Sequence, residues 1–380
     1  MPHSYEQTLE QLRSSGNFRT IPAPDHSGRM MTDMSSNDYL GLATRSDLQQ
    51  QFFDNDTNRS IAMTSSAARL LAGAQTQYSL LEERLSELYG GKAALLFNSG
   101  YHANTGLIPA LASEPRTLIV ADKLVHASII DGIMLSKSPY KRFTHNDFDR
   151  LEQIVAKEHD SYDRILVITE SIYSMDGDSA DLDRLTTIKH LYPKTMLYID
   201  EAHAIGVTGN RGLGLCRSHK DFADIDVIVG TFGKALASAG AFCITAPTLR
   251  DYAVNRARSF IFSTALPPIN CAWSRFMLDT TLTMDNERRH LHTIYSMLFD
   301  ALEKSSFRTP PEPSHIQPVI IGSAGGAIEL SHRLSDEGFK VLPIRTPTVP
   351  PGTERLRISL SASISTERIE RFIKALNSLS

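Results

Sequence analysis

Little in this sequence marks it for a membrane, a nucleic acid or an oxidising compartment. Cysteine is scarce: Cys216, Cys243 and Cys271 are the only three, far apart and with no CxxC pair. That speaks against a disulfide framework or a structural zinc site and fits buried thiols in a reducing cytosol, so a cytoplasmic protein is expected. No stretch approaches the roughly 18 uninterrupted apolar residues that a membrane helix needs. The segment from Met1 to Arg19 carries Glu6 and Glu10 where a secretory signal would be apolar, so no such signal is expected. Charge of one sign is missing as well, because 39 Lys+Arg against 43 Asp+Glu leave a formal net charge of −4 without long like-charge runs. Neither nucleic acid nor an anionic membrane is therefore expected as main partner. Repeats and low-complexity tracts are absent.

What is present points to an α/β protein of more than one domain. A chain of 380 residues is too long for a single core. Its middle alternates short β-branched runs with helical patterns, the mark of βαβ units and a mainly parallel sheet. Ala94 to Phe97, Thr117 to Val120, Ile165 to Ile168, Met196 to Ile199 and Val227 to Val229 read as buried strands. Each runs into polar or glycine residues: Asn98-Ser-Gly100, Asp122, Glu170, Asp200 and Gly230. Ligands of open α/β sheets bind beyond the carboxyl ends of the strands, so chemistry is sought there.

From about Pro267 the pattern changes. A long helical region over roughly Pro268 to Lys304, a linker Pro310-Pro-Glu-Pro313, a strand from Ile316 and a helix around Ala327 to Glu337 follow. A last amphipathic helix starts at Thr366 with Ser365 as N-cap. The expected division is a large α/β domain over 41–266 and a smaller α+β domain over 267–380. Residues 1–40 are too few for a core and are expected to pack on the small domain or a partner subunit.

Five strand ends carry candidate chemistry. Lys234, in Val229-Gly-Thr-Phe-Gly-Lys-Ala235, follows a strand in a compact turn that can aim an amine into a crevice. An isolated Gly-Lys is more often a surface loop; the neighbouring signals argue otherwise. Asp200 and His203, in Asp200-Glu-Ala-His203, could be a metal pair or a cap and a structural histidine. For a pyridine cofactor a carboxylate keeps the ring nitrogen protonated, and an imidazole can bond its phenolic oxygen. No third ligand stands at metal spacing, so no metal is expected. Gly100 and Tyr101 lie where a helix N-terminus would face an anion such as a phosphate. His126, after Asp122, is at another strand end, where a lone histidine is more often structural. Ser174 and Asp178 follow Glu170. Gly209-Asn-Arg-Gly-Leu-Gly214 lacks the spacing and lysine of a phosphate loop and is read as a glycine-rich turn.

Taken in order, these motifs resemble the α-oxoamine synthases, pyridoxal-5′-phosphate (PLP) enzymes of fold type I that join an amino acid to an acyl thioester. The resemblance rests on Ser35 to Leu42, Leu96 to Gly100, Asp122 to Ser128, Ser174 to Asp178, Asp200 to His203 and Thr231 to Lys234, and spans nearly the whole chain. It implies that Lys234 carries PLP as a Schiff base and that Asp200 pairs with the pyridinium. It further implies that His203 and Ser174 bond near the cofactor oxygens, His126 stacks on the ring, Gly100 and Tyr101 flank it, and Thr231 contacts the phosphate. Arg19, Asn37, His126, Arg345 and Thr348 fall on substrate-contacting positions, with Arg345 on the amino-acid carboxylate. Ile344 to Thr353 resembles most the branch that condenses L-alanine with a pimeloyl thioester, on CoA or a carrier protein, in biotin biosynthesis. A homodimer is implied. Two departures stand out: Ala67-Ala68 where Gly-Ser is common, and Tyr78 where histidine is common. A fold-type I aminotransferase or lyase, and a non-catalytic PLP-fold module, remain as other readings.

Overall fold

The computed structural model describes residues 4–21, 30–72, 75–308 and 312–379. Pro310 and Pro311 of the expected linker lie outside the described residues. The chain forms two compact units, one of Leu40–Ser174 with Ser179–Arg288, the other of Met1–Tyr39, Met175–Asp178 and Arg289–Ser380.

The first unit is built on a seven-stranded sheet. Its strands are β1 (Ala93–Phe97), β2 (Thr117–Asp122), β3 (Tyr140–Phe143), β4 (Arg164–Glu170), β5 (Thr195–Asp200), β6 (Val227–Thr231) and β7 (Ala241–Thr245). They lie in the order β1-β7-β6-β5-β4-β2-β3. From β6 to β3 every pairing is parallel, while β7 runs antiparallel to both β1 and β6. The central strands have continuous apolar middles because both faces are covered, and every residue of β2 and β6 is buried. All five expected strands are present. The antiparallel β7 and the edge strand β3 are additions. β3 reads Tyr-Lys-Arg-Phe with only Phe143 buried, so it offers no apolar run to a sequence reading.

Two helices start at the strand ends that matter. Helix α1 (Gly100–Ala112) is capped by Ser99, whose side chain accepts the His102 amide. Helix α2 (Ala127–Ser136) is capped by His126, which accepts the Ser128 amide. The expected helical region over 268–304 is made of two helices, Pro268–Thr281 and Asp285–Glu303. Arg288 ends the first by donating to the Thr281 carbonyl at 2.8 Å. The first of these helices packs on Thr76–Leu88 and stays with the sheet. The boundary therefore falls at Arg288/Arg289 and not at 266/267.

The second unit holds a three-stranded antiparallel sheet of β8 (Ile316–Ile320), β9 (Leu342–Ile344) and β10 (Arg355–Ser359), with β10 in the middle. Thr32–Asp33 pairs in parallel with Phe339–Lys340, which draws the N-terminal residues into this unit. The helix Thr366–Ser378 buries Ile369, Phe372, Ala375 and Leu376, and Ser365 caps it by accepting the Arg368 amide. Met175–Asp178 is bound by Arg355, which donates to Asp176 at 2.6 Å and to the Met175 carbonyl at 3.2 Å. Gly177, at φ +75°, approaches the Ile316 carbonyl so closely that a Cβ would stand 1.9 Å from its oxygen.

Candidate active site

The carboxyl ends of β4, β5 and β6 supply the polar groups of the first unit. Glu170 and Asp200 are register partners on neighbouring strands, so two carboxylates end side by side. Both are buried. Burial, and then the Asp200 charge, pushes the Glu170 carboxyl up to about 8, while the Lys234 ammonium and the His126 and Ser174 amides oppose the rise. Glu170 is therefore protonated near neutral pH.

Asp200 is held from two sides. Its Oδ1 accepts the Ala202 amide at 2.9 Å and its Oδ2 accepts Asn104 Nδ2 at 2.8 Å. Asn104 itself accepts the Tyr198 hydroxyl at 2.6 Å and reaches Ser128 Oγ at 2.9 Å. Ser128 Oγ is 2.7 Å from His126 Nδ1. Burial lowers the His126 pKa from its ordinary value, with the Lys234 charge in the same direction and Asp200 and Asp131 opposing. The ring sits at a helix N-terminus, where the macrodipole also disfavours a cation.

Lys234 lies in the turn between β6 and β7. Thr231 Oγ1 closes this turn, donating to the Gly240 carbonyl at 3.0 Å and accepting the Gly233 amide at 3.2 Å. The Ala237 amide bonds the Lys234 carbonyl at 2.9 Å. The amine itself is 2.7 Å from His203 Nε2. The loop after His203 packs on this turn through Gly206, at φ +86°, where a Cβ would come within 2.6 Å of the Ala235 Cβ. A side chain there would drive the two loops apart.

Of the expected cofactor residues, Asp200, His203 and Lys234 converge, and His126 joins Asp200 through Ser128 and Asn104. Gly100 opens α1, and a Cβ on it would meet nothing within 4 Å, so space lies beside that helix start. Tyr101 is 48% exposed and its hydroxyl donates to Asp131 at 2.6 Å. Ser174 bonds Glu170 through its backbone amide. Apart from His126, the expected substrate residues belong to the second unit. There Arg19 donates to Thr348 Oγ1 at 3.0 Å, Arg345 donates to the Gly16 carbonyl, and Asn37 accepts from Arg357 at 3.1 Å.

Asn104, Ser128, Glu170 and Tyr198 were given no role by the sequence reading. Glu170 is legible as a strand end, and Asn104 leaves a trace as a polar residue in the apolar interior of a helix, where asparagine is a poor former. The turn Gly209 to Gly214 is indeed glycine-rich, with Gly209, Gly212 and Gly214 all at positive φ. Gly214 abuts the buried Glu201, which accepts the Leu215 and Cys216 amides at 2.8 and 3.1 Å. Tyr78 fills its place in the core, donating to the Leu266 carbonyl at 2.6 Å beneath the Arg69 guanidinium, 4.1 Å from its ring. Among the described residues, Asp183, His219 and Asp221 bring three ligand atoms within 4.8 Å of one another, but Lys220 already pairs with Asp183 at 2.8 Å. No helix among the described residues is long and apolar enough to cross a membrane.

Residues 29–376 match the family described as aminotransferase class I and II. The chain belongs to that family. It shares the fold of its PLP-dependent, fold-type I members. A protein of Pasteurella multocida named "Putative 8-amino-7-oxononanoate synthase" is 48% identical over 99% of this chain and 98% of its own length. The solved 8-amino-7-oxononanoate synthase of Francisella tularensis is 25% identical, with a TM-score of 0.77 over 92% of this chain and 97% of that one. A structure of SPT with a PLP internal aldimine gives a TM-score of 0.85 at 26% identity, over 92% of this chain and 87% of that one. Against this family, the four polar groups at the ends of β2, β5 and β6 are the chain's candidate cofactor set.

Proposed function

We propose that this chain is a PLP-dependent acyltransferase that condenses L-alanine with a pimeloyl thioester, on CoA or a carrier protein, to give 8-amino-7-oxononanoate, CO2 and free thiol in biotin biosynthesis. The observation that carries the reading is the convergence of a buried carboxylate, two imidazoles and an amine, Asp200, His126, His203 and Lys234, within one unit. The names and near full-length coverage of the relatives support the choice of substrates. The residues present fit the cofactor: an amine to hold it covalently, a buried carboxylate held by two hydrogen bonds, and open space by the Gly100 amide at a helix start. Asp200 would pair with the ring nitrogen, His126 would cover the ring, and His203 and Ser174 would bond its oxygens. Gly100, Tyr101 and Thr231 would line the cradle.

When bound, PLP supplies an electron sink for the carbon that loses its proton. The chain's own part is positioning and proton transfer. Lys234 Nζ takes the proton from the amino-acid Cα and later returns one to the same carbon. His203 Nε2 holds that amine in place. His126 presents a neutral imidazole to the oxygen that gains charge as the thioester carbonyl is attacked. Arg345 would hold the amino-acid carboxylate, with Arg19, Asn37 and Thr348 contributing to substrate binding. We further propose a cytoplasmic homodimer, which would cover the exposed apolar side chains of Leu70, Leu71 and Phe262.

The deciding experiment is thiol release across a panel of amino acids and acyl thioesters. L-alanine with pimeloyl-CoA or its carrier-protein thioester is expected to be the best pair, with CO2 released in equal amount. Amino transfer to a keto acid without free thiol would favour an aminotransferase instead, and a preference for glycine with acetyl-CoA would move the chain to another branch of the same chemistry.

A further inference from the structure

The hydrogen bonds around Asp200 have a direction, and it extends to His126. As a carboxylate, Asp200 only accepts, so the group Asn104 turns towards it is the amide NH2. That orientation leaves Asn104 Oδ1 to accept the Tyr198 hydroxyl at 2.6 Å. The second hydrogen of Asn104 Nδ2 goes to Ser128 Oγ at 2.9 Å. Accepting there leaves Ser128 its own hydroxyl proton, which it can give to His126 Nδ1 at 2.7 Å. The Ser128 backbone amide, 3.2 Å from the same nitrogen, imposes the same sense. Nδ1 must then be the unprotonated nitrogen.

We propose that Asn104 and Ser128 are positioning residues that transmit the charge of Asp200 to His126, fixing the imidazole as its neutral Nε2–H tautomer. The inference rests on the reading of this site as the PLP site, and deepens it: one buried amide would orient the carboxylate assigned to the ring nitrogen and set the donor on the imidazole assigned to the ring face. Asn104 and Ser128 are each 1% exposed, so solvent does not supply substitute partners. The charged or titratable groups around His126 are Asp200 on β5, Lys234 in the β6–β7 turn, Asp131 on α2 and Glu170 on β4, whose Oε1 accepts the His126 backbone amide. None of these bonds Nδ1, so the proton on that ring edge is governed by Ser128.

The test is 15N NMR of histidine-labelled full-length protein, with and without PLP, the His126 signals being assigned by their loss in His126→Gln. The expected wild-type result is a proton on Nε2 and a bare Nδ1 through neutral pH. Ser128→Ala removes a donor that competes with protonation of Nδ1, so the midpoint of the His126 titration is expected to rise by about 0.5 pH unit or more, a factor of about three in proton affinity. Asn104→Ala frees the Ser128 hydroxyl to turn round and accept, and is expected to raise it likewise and to weaken PLP binding about tenfold or more, as loss of a bond to a charged group would. Ser128→Ala should leave PLP binding within about threefold, because Asn104 still reaches Asp200. A proton on Nδ1 in the wild type, or a titration unmoved in either variant, would overturn the proposal. If Asn104→Ala does not fold, Asn104→Asp, which replaces the amide donor, must shift the titration for the proposal to stand. A wild-type chain that binds no PLP would defeat the cofactor reading while the tautomer is still read from the same spectra.

Discussion

In the larger unit Asp200, His126, His203 and Lys234 hang from three strand ends and are held by other side chains. In the smaller unit Arg345 leans on the backbone carbonyl of Gly16, and Arg19 meets Thr348 where both side chains are exposed. Asp200 and His203 are buried, Lys234 is half-buried and His126, though exposed, is tied to Ser128, so this group is already arranged and its ordering cost is met when the chain folds. The second retains rotamer freedom that a ligand must remove on binding. Residues of the first kind should therefore govern the rate of chemistry, and residues of the second kind the affinity for substrate.

The sharpest way to break this division is Lys234→Ala. It is expected to abolish the visible absorption of the PLP-loaded protein and to reduce thiol release by about 10³-fold or more, since both the covalent attachment and the proton carrier go. Substantial residual turnover would remove Lys234 from the chemistry. A middle-sized effect is expected for Arg345→Ala: the KM for the amino acid should rise about 10- to 100-fold, the loss of one charge-assisted contact, with kcat changed much less. The opposite pattern, a fallen kcat at unchanged KM, would put Arg345 among the arranged groups.

The smallest effect tests the neighbour of Asp200. Glu201 is fully buried, and burial pushes its carboxyl from 4.5 up to about 7. The folded chain thus holds a proton that the unfolded chain has released between those values. Stability should be full below pH 4.5 and should fall as pH rises through about 7. Glu201→Gln keeps the acceptor for the Leu215 and Cys216 amides but cannot ionise. Thermal unfolding of this variant is expected to depend less on pH across that window, with the variant gaining on the wild type at the alkaline end. An unchanged pH slope would show that Glu201 is not the group responsible. The two adjacent acids would then differ in address but not in behaviour.

Much of the larger unit could be read from sequence because its strands are apolar runs ending in chemistry-bearing residues, as Tyr198-Ile199-Asp200 shows. Such a run locates a strand end but not the strand's direction, and Ala241–Thr245, an apolar run that runs antiparallel and ends in no chemistry-bearing residue, is not among the expected strands. Nor could the contacts that hold the site be found that way. Asn104 lies 96 positions from Asp200 and Glu170 lies 44 from His126, and only the folded register brings them together. The break between Thr281 and Asp285 depends on Arg288 reaching back to a carbonyl, a contact invisible to helical periodicity. Tyr78 looked like a departure because its position was compared with other chains; within this one its hydroxyl and ring are fully used.

Gly206 carries a consequence of its own. Because the Ala235 methyl occupies the volume a side chain at 206 would need, the loop bearing His203 and the turn bearing Lys234 are meshed like adjoining teeth. The gap between imidazole and amine is thus gauged by hard-core repulsion a few residues away. It would survive protonation of the histidine, or the lysine's departure from it during turnover, and be there unchanged when the amine returns.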